Sequence, residues 1–462
     1  MTSTEKHFAA VDAAIDRKLD QSLVTLARLV AQPSVAAQGR GIEECAALTA
    51  AILEEHGFAA EILPTGGSPA VYAEAGEGEK TLLFYNHYDV QPAEPLELWE
   101  SDPFQLTRRG DRLYGRGASD DKGHFISRLL ALEAVKDAHG GRLPCRVKFV
   151  VEGEEEIGSV HIPAFVEREK ERLKADACVW EFGSVDENGR PMQYLGLRGN
   201  CYVELSVRTA STDAHSGLGG SIFPNAAWRL TWALASLKGP DERIRILGHH
   251  DSIRPPSPRD LELLAAMPDH SVETKERYQI KSYLKGLTGG ADLRRAEVFE
   301  PTCTIAGLTS GYQGPGSKTI IPSEARAKVD FRLVPDQTPE EVLTNLRKHL
   351  DREGFEDVEI TYLGGGRPAR TDPDHPFIQM SNAAAEAAYG LPPVVAPMIG
   401  GSGPNWPFSH TLGLPITICG IGYPGALVHA PNEHFVLDHY VRGTRHAARI
   451  VEGFAAGNQV SD

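Results

Sequence analysis

No stretch of the chain approaches the ~20 consecutive apolar residues that a helix needs to cross a bilayer. The opening residues MTSTEKHFAAVDAAIDRKLDQSL are polar and helical in pattern, without the apolar centre of a signal peptide. A cytoplasmic protein with no membrane partner is therefore expected. Cysteine is sparse: Cys45, Cys145, Cys178, Cys201, Cys303 and Cys419 are scattered and form no C-x-x-C pair. That excludes a disulfide framework and points to reduced core thiols. Positive charge is in deficit, with a formal net charge of -16, which argues against a nucleic-acid partner. Repeats at solenoid spacing and low-complexity tracts are missing too. So are several catalytic signatures. There is no H-E-x-x-H. GGSGP at 400–404 lacks the last glycine of a G-x-S-x-G elbow, and GYQGPGSKT places Ser317 between Gly316 and Lys318, which breaks a phosphate-binding loop.

What is present alternates. GIEECAALTAAILEEHG is an amphipathic helix stopped at Gly57, TLLFYN an apolar strand, and GHFISRLLALEAVKDAHGG a helix with Ile126, Leu129 and Leu130 on one face. CRVKFVVEGE and DACVWEFG follow as strands, the pattern of an α/β domain with a mixed, largely parallel sheet and helices on both faces. From Gly199 the pattern changes to the period-two strands CYVELSVRT and EARAKVDFRLV. Between and after them come a helix that Asn225 can cap, a helix with a Thr338–Glu341 capping box, and the strand EDVEITYL. A further strand is expected within EVFEPTCTIAGL. Residues 199–368 thus read as an inserted α+β domain of split βαβ, ferredoxin-like kind, with a long insertion of its own around 240–295. Residues 1–198 and 369–462 read as the domain that it interrupts.

Ligands of a parallel α/β sheet bind beyond the carboxyl ends of the strands. Those ends are unusually charged here. TLLFYN leads into His87 and Asp89, CRVKFVV into Glu152, Glu154, Glu155 and Glu156, DACVW into Glu181, and LPITICGIGYPGALV into His429; Asp120 precedes a helix. Singly, each reads as a loop residue or an N-cap, and an acidic run is usually a solvated turn. Together they read as one rim of imidazoles and carboxylates, a donor set suited to zinc and also to manganese or cobalt. Two divalent ions are neutralised by Asp120, Glu156, Glu181 and one hydroxide. Glu155 is then left free to move protons in a metal-assisted hydrolysis.

In order along the chain, HYDVQP, YGRGASDDKG, EGEEEIGS, TDAHSG, DFRLVP, GGSGP and VHAPNE resemble the dinuclear zinc metallopeptidases. That family includes carnosinase, cytosolic nonspecific dipeptidase, glutamate carboxypeptidase, aminoacylase and succinyl-diaminopimelate desuccinylase. The motifs are most similar to the dipeptidase branch. The resemblance implies two divalent metal ions per chain, one held by His87, Asp120 and Glu181 and the other by Asp120, Glu156 and His429, with Asp120 bridging. It implies Glu155 as general base, Asp89 as the carboxylate that orients the site, and a cis peptide between Asp120 and Asp121. It further implies that the inserted domain is a lid that mediates a homodimer. His215 would stabilise the oxyanion in the partner subunit, and Arg332, Gly401 and Ser402 would bind the substrate's terminal carboxylate. Glu181 departs from the dipeptidase pattern, in which aspartate is usual, and matches the carboxypeptidase and aminoacylase branches. The expected activity is hydrolysis of dipeptides or short peptides with a free C-terminal carboxylate. Carboxypeptidase action and N-acyl-amino-acid hydrolysis are alternatives, and a catalytically silent metal-binding scaffold is the non-enzyme alternative.

Overall fold

A computed structural model describes residues 2–457. Two compact units divide the chain: Met1–Leu195, Arg370–Pro397 and Pro404–Asp462 make up the first, and Gly196–Ala369 with Met398–Gly403 the second. Among the described residues no helix is long and apolar enough to cross a membrane.

The first unit is built on a six-stranded mixed sheet. Its spatial order is Ala59–Leu63, Ala70–Ala75, Arg146–Glu152, Thr81–His87, Ala177–Trp180 and Ile416–Ile418. The first two pairings are antiparallel and the other three parallel. Thr81–His87 is buried at every position, because successive side chains feed cores on opposite faces. Leu82 and Phe84 enter one core with Val147, Phe149 and Val151; Leu83 and Tyr85 enter the other with Cys178, Trp180 and Phe408. Phe84 stacks on Phe149 at 5.1 Å and Tyr85 on Trp180 at 4.0 Å. Full burial of such a ring contributes up to about 3 kcal/mol. Helix Lys122–Ala138 packs on this sheet together with the helices Ser3–Ala31 and Leu437–Ala456. Because the central strands are parallel, His87, Glu152 and the residue after Trp180 all emerge at one edge.

The second unit carries a four-stranded antiparallel sheet in the order Thr304–Ser310, Glu324–Leu333, Gly199–Arg208, Glu359–Gly366. Helices Ala226–Leu237 and Pro339–Arg352 complete a β-α-β-β-α-β chain order. Alternation decides which face is covered: Ala325, Ala327, Val329, Phe331 and Leu333 are buried against those helices. Asn225 caps the first helix by accepting from Trp228 N at 3.2 Å, and Thr338 with Glu341 forms the capping box of the second. Between Leu237 and Thr304 lie the helices Pro258–Ala266, Ser271–Tyr278 and Gly290–Phe299. Val298 and Phe299, within the segment EVFEPTCTIAGL expected to hold a strand, are therefore helical. The helix ends ahead of Pro301, as proline requires, and the strand starts at Thr304. Met398–Gly403 joins the second unit through backbone bonds: Ile399 N donates to Gly196 O at 3.0 Å and Arg198 N to Gly401 O at 2.9 Å.

Candidate metal centre

In the first unit, His87 closes its strand, Asp120 lies just before helix Lys122–Ala138, Glu155 and Glu156 form a 3-10 turn, Glu181 follows Trp180, and His429 sits in the loop ahead of strand His434–Val436. The four glutamates at and after the end of the strand Arg146–Glu152 divide into two jobs. Glu152 is buried, accepting from Tyr85 Oη and from Ser159 Oγ. Glu154 accepts from Ser68 N at 2.8 Å and pairs with His161. Both are anchors. Gly153 between them is where the Tyr88 ring crosses the chain, and a Cβ there would collide with it. Glu156 is turned instead toward His429, and Glu155 is close enough to His87 to feel its charge.

Asp120 is the hub. Its Oδ1 lies 3.1 Å from His87 Nε2 and its Oδ2 3.0 Å from His429 Nε2, so each oxygen faces a different imidazole. His429 Nε2 also lies 3.1 Å from Glu156 Oε2. Asp120, Glu156 and His429 each offer a donor atom within 4.8 Å of the others. The Asp120–Asp121 peptide is cis. His429 takes the left-handed conformation at φ 63°, at a cost of about 1 kcal/mol, which the ring's two carboxylate contacts offset.

The electrostatics are those of a site short of positive charge. Burial pushes the Glu155 carboxyl up to about 8; His87 opposes this, while Asp120, Glu156 and Asp89 reinforce it. Glu181 is pushed well above the carboxylate range, first by burial and then by Glu155, and its buried Oε2 has no hydrogen-bond partner among the described residues. Burial would also raise Asp120, but hydrogen bonds from His429 and His87 outweigh it and hold that carboxyl low. Hydrogen bonds that His429 donates to Asp120 and then to Glu156 raise its imidazole to about 10. An orphaned carboxylate oxygen, an aspartate with one oxygen toward each imidazole, and crowded buried carboxyls fit divalent cations: ions of that charge relieve all three. Among the described residues Glu181 does not join a three-donor group with His87 and Asp120 within 4.8 Å; its link to them is through charge.

Several residues that hold this geometry carry no role in the motif reading. Glu433, buried, accepts from Ser119 N at 2.8 Å and Asp120 N at 2.9 Å with one oxygen, and from Arg116 at 2.7 Å with the other. It fixes the loop that presents Asp120. Gln91 donates from Nε2 to Glu156 Oε2 at 2.9 Å. Asp121 accepts from Asn86 Nδ2 and from His87 N at 3.1 Å, and buried Arg128 donates to the carbonyls of Trp180, Glu181 and Cys419.

Asp89 ties two parts of the site together. His87 Nδ1 lies 3.0 Å from its carbonyl and 3.4 Å from its Oδ1, which leaves Nε2 free to act as a ligand. The same carboxylate accepts the backbone N–H groups of Glu155 at 3.2 Å and Glu156 at 3.0 Å. Asp89→Asn is thus expected to weaken divalent-metal affinity by about 10–100-fold, measured by chelator competition. Unchanged affinity would show that the backbone alone orients His87.

The remaining motif residues lie in the second unit. Arg332 donates from Nη1 to Ser402 Oγ at 2.8 Å and from Nε to Asp330 Oδ2 at 3.0 Å, so two of the residues assigned to carboxylate binding are in contact. Gly401 adjoins Ser402 in sequence, and its carbonyl accepts from Arg198 N. His215 lies elsewhere, in the two-stranded pairing of Ala214–His215 with Ile320–Ile321, where its Nδ1 accepts from Gly217 N at 3.0 Å.

The chain is similar to known proteins over most of its length. The family model for peptidase family M20/M25/M40 matches residues 83–453. A Beta-Ala-His dipeptidase from Rattus norvegicus is 30% identical over 340 residues, covering 72% of this chain and 68% of that protein. A Cys-Gly metallodipeptidase from Schizosaccharomyces pombe is 28% identical over 467 residues, covering 93% of this chain and 95% of that one. The crystal structure of an M20 family metallo-carboxypeptidase from Sulfolobus solfataricus is similar with a TM-score of 0.89 and 35% identity, over 94% of this chain and 99% of that chain. The chain belongs to peptidase family M20/M25/M40.

Proposed function

We propose that this metallopeptidase hydrolyses the amide bond of dipeptides and short peptides that carry a free C-terminal carboxylate. The observation that carries the reading is Asp120, with one carboxylate oxygen facing each of two imidazoles and the buried Glu155 carboxyl close enough to feel its charge. His87, Asp120 and Glu181 would hold one ion, and Asp120, Glu156 and His429 a second. When bound, two divalent ions, most simply Zn2+ with Mn2+ or Co2+ also suited to these donors, supply the Lewis acidity that polarises a carbonyl and acidifies water. Glu155 accepts a proton from the attacking water as the C–O bond forms, and returns it to the amine nitrogen as the C–N bond breaks. Positive charge brought close to Glu155 lowers its pKa from the raised value of the bare site, toward that of a base useful near neutrality. Arg332, with Ser402 and Gly401, grips the terminal carboxylate, and His215 donates to the oxyanion from a partner subunit.

A homodimer fits the surface of the second unit. Leu218, Ile222, Phe223, Trp228 and Trp232 are all exposed there, and the two tryptophan rings stack at 5.7 Å. Apolar side chains gathered like this mark a surface that another chain covers. A reducing, cytoplasmic setting fits six cysteines that are all buried and unpaired.

The 35% identity to a metallo-carboxypeptidase, together with glutamate rather than aspartate at 181, favours a second reading: trimming of longer peptides from the C-terminus. One panel tests both. Dipeptides, peptides of increasing length and N-acyl amino acids are assayed with Zn2+, Mn2+ and Co2+ before and after chelation. Dipeptide hydrolysis abolished by chelation and restored by a divalent ion is expected. Rates that rise with peptide length would favour the carboxypeptidase reading. A metal-replete enzyme that cleaves no free-acid peptide would sink both.

A further inference from the structure

A second group of metal-type donors lies outside the centre described above. His7 on helix Ser3–Ala31, His139 at the C-terminal cap of helix Lys122–Ala138, and Glu452 on helix Leu437–Ala456 converge where these three helices meet. His7 Nε2 is 2.8 Å from Glu452 Oε1, and His139 Nε2 is 3.1 Å from Oε1 and 3.0 Å from Oε2. One donor atom from each residue lies within 4.8 Å of the other two. The two imidazole rings meet edge to face at 5.2 Å.

The ordinary account is a carboxylate shared by two histidines. Three features go beyond it. Both rings aim the same nitrogen, Nε2, at one carboxylate, from two different helices. The Glu452 side chain is only 11% exposed, and no lysine or arginine lies within ion-pair distance of it among the described residues. Finally, the imidazoles are about one-third exposed, 33% for His7 and 35% for His139, so an ion can enter from solvent. Tetrahedral zinc, with bonds of about 2.0–2.2 Å, places its ligand atoms roughly 3.3 Å apart. The present 2.8–3.1 Å separations need to open by only a few tenths of an ångström, within the play of three side chains at helix ends.

We propose that His7, His139 and Glu452 form an additional site for one divalent transition-metal ion of Zn2+ type, which clips the N-terminal helix to the other two. Three protein donors leave one position for water. The bound ion supplies the positive charge that Glu452 lacks and joins residues 445 positions apart in sequence, so its effect is on stability and not on turnover.

The test compares wild type with His7→Ala/His139→Ala and with Glu452→Gln, which keeps the side-chain shape. Each full-length protein is dialysed against micromolar ZnCl2 and its bound zinc measured per chain; thermal unfolding is followed with and without added Zn2+. Wild type is expected to hold one more equivalent than either variant, and excess Zn2+ to raise its Tm by about 2 °C or more beyond theirs. Dipeptide turnover of the zinc-loaded variants stays within about twofold of wild type, because neither change touches the catalytic donors. The readout is a difference between proteins, so it is independent of how many ions the catalytic centre takes. Equal zinc content and equal Tm shifts in wild type and Glu452→Gln would overturn the proposal and leave a histidine–carboxylate cluster only.

Discussion

Glu155→Gln is expected to keep its bound metal and lose turnover by about 10²–10⁴-fold, the usual worth of a positioned general base. The glutamine is close in size and shape, and it removes a carboxyl that burial and neighbouring carboxylates already push up to about 8. Its stability in the absence of metal should therefore not fall. The contacts that position the turn survive, because they run from the backbone N–H groups of Glu155 and Glu156 to Asp89. What disappears is the group that ionises. The acid limb of the wild-type kcat/KM profile, where activity rises with pH as the base loses its proton, should vanish along with the rate. The checks are kcat on a dipeptide, metal content of the same sample, and the pH profile. A metal-replete variant with near-normal kcat would place the base elsewhere.

Arg332→Ala is expected to lower kcat/KM for free-acid peptides by about 30-fold or more, the equivalent of losing ~2–4 kcal/mol of charge-assisted binding in the transition state. The ordinary reading of this residue is an arginine on an open sheet face, and its bonds to Asp330 and Ser402 supply a structural reason for it to be there. Those bonds engage Nε and Nη1; the other terminal nitrogen is left to complete a forked contact with a carboxylate. C-terminally amidated dipeptides separate the two readings. They should be poor substrates for wild type and nearly indifferent to the substitution. If wild type cleaves amidated and free dipeptides equally well, Arg332 holds Asp330 and the Ser402 loop and does nothing for the substrate.

Much of the centre could be read from sequence because its donors follow apolar runs, and the ends of parallel strands share one edge. His87 closes the strand Thr81–His87 and Glu181 follows the strand Ala177–Trp180, so local pattern places both. The supports could not be read in the same way. Glu433 reaches Ser119 and Asp120 across more than three hundred residues, and its own surroundings, VHAPNEHF, look like a polar loop. Arg128 sits mid-helix, where an arginine is ordinarily solvated; only the fold shows that it is buried under three carbonyls. In the second unit, period-two alternation identified the sheet face correctly. The strand expected within EVFEPTCTIAGL is there too, from Thr304, while the apolar pair Val298 and Phe299 at the start of that segment ends a helix instead. The attachment of Met398–Gly403 to Gly196–Arg198 is a pairing between distant segments, which no local pattern encodes.

That attachment, with the interrupted first unit, sets an order in which the molecule can be completed during synthesis. Once residue 369 has emerged from the ribosome nearly all of the second unit is free: the two helices that cover its sheet, all four strands of that sheet and their shared core. The first unit at that stage lacks Ile416–Ile418, the edge strand of its sheet, and Tyr440, Ile450, Val451 and Phe454 of its core. The rim of imidazoles and carboxylates also lacks His429 and the Glu433 clamp. The sheet and core of the smaller unit can therefore fold while the larger waits with five of the six strands of its main sheet and an open core, and the candidate metal centre is incomplete until His429 and Glu433 have emerged.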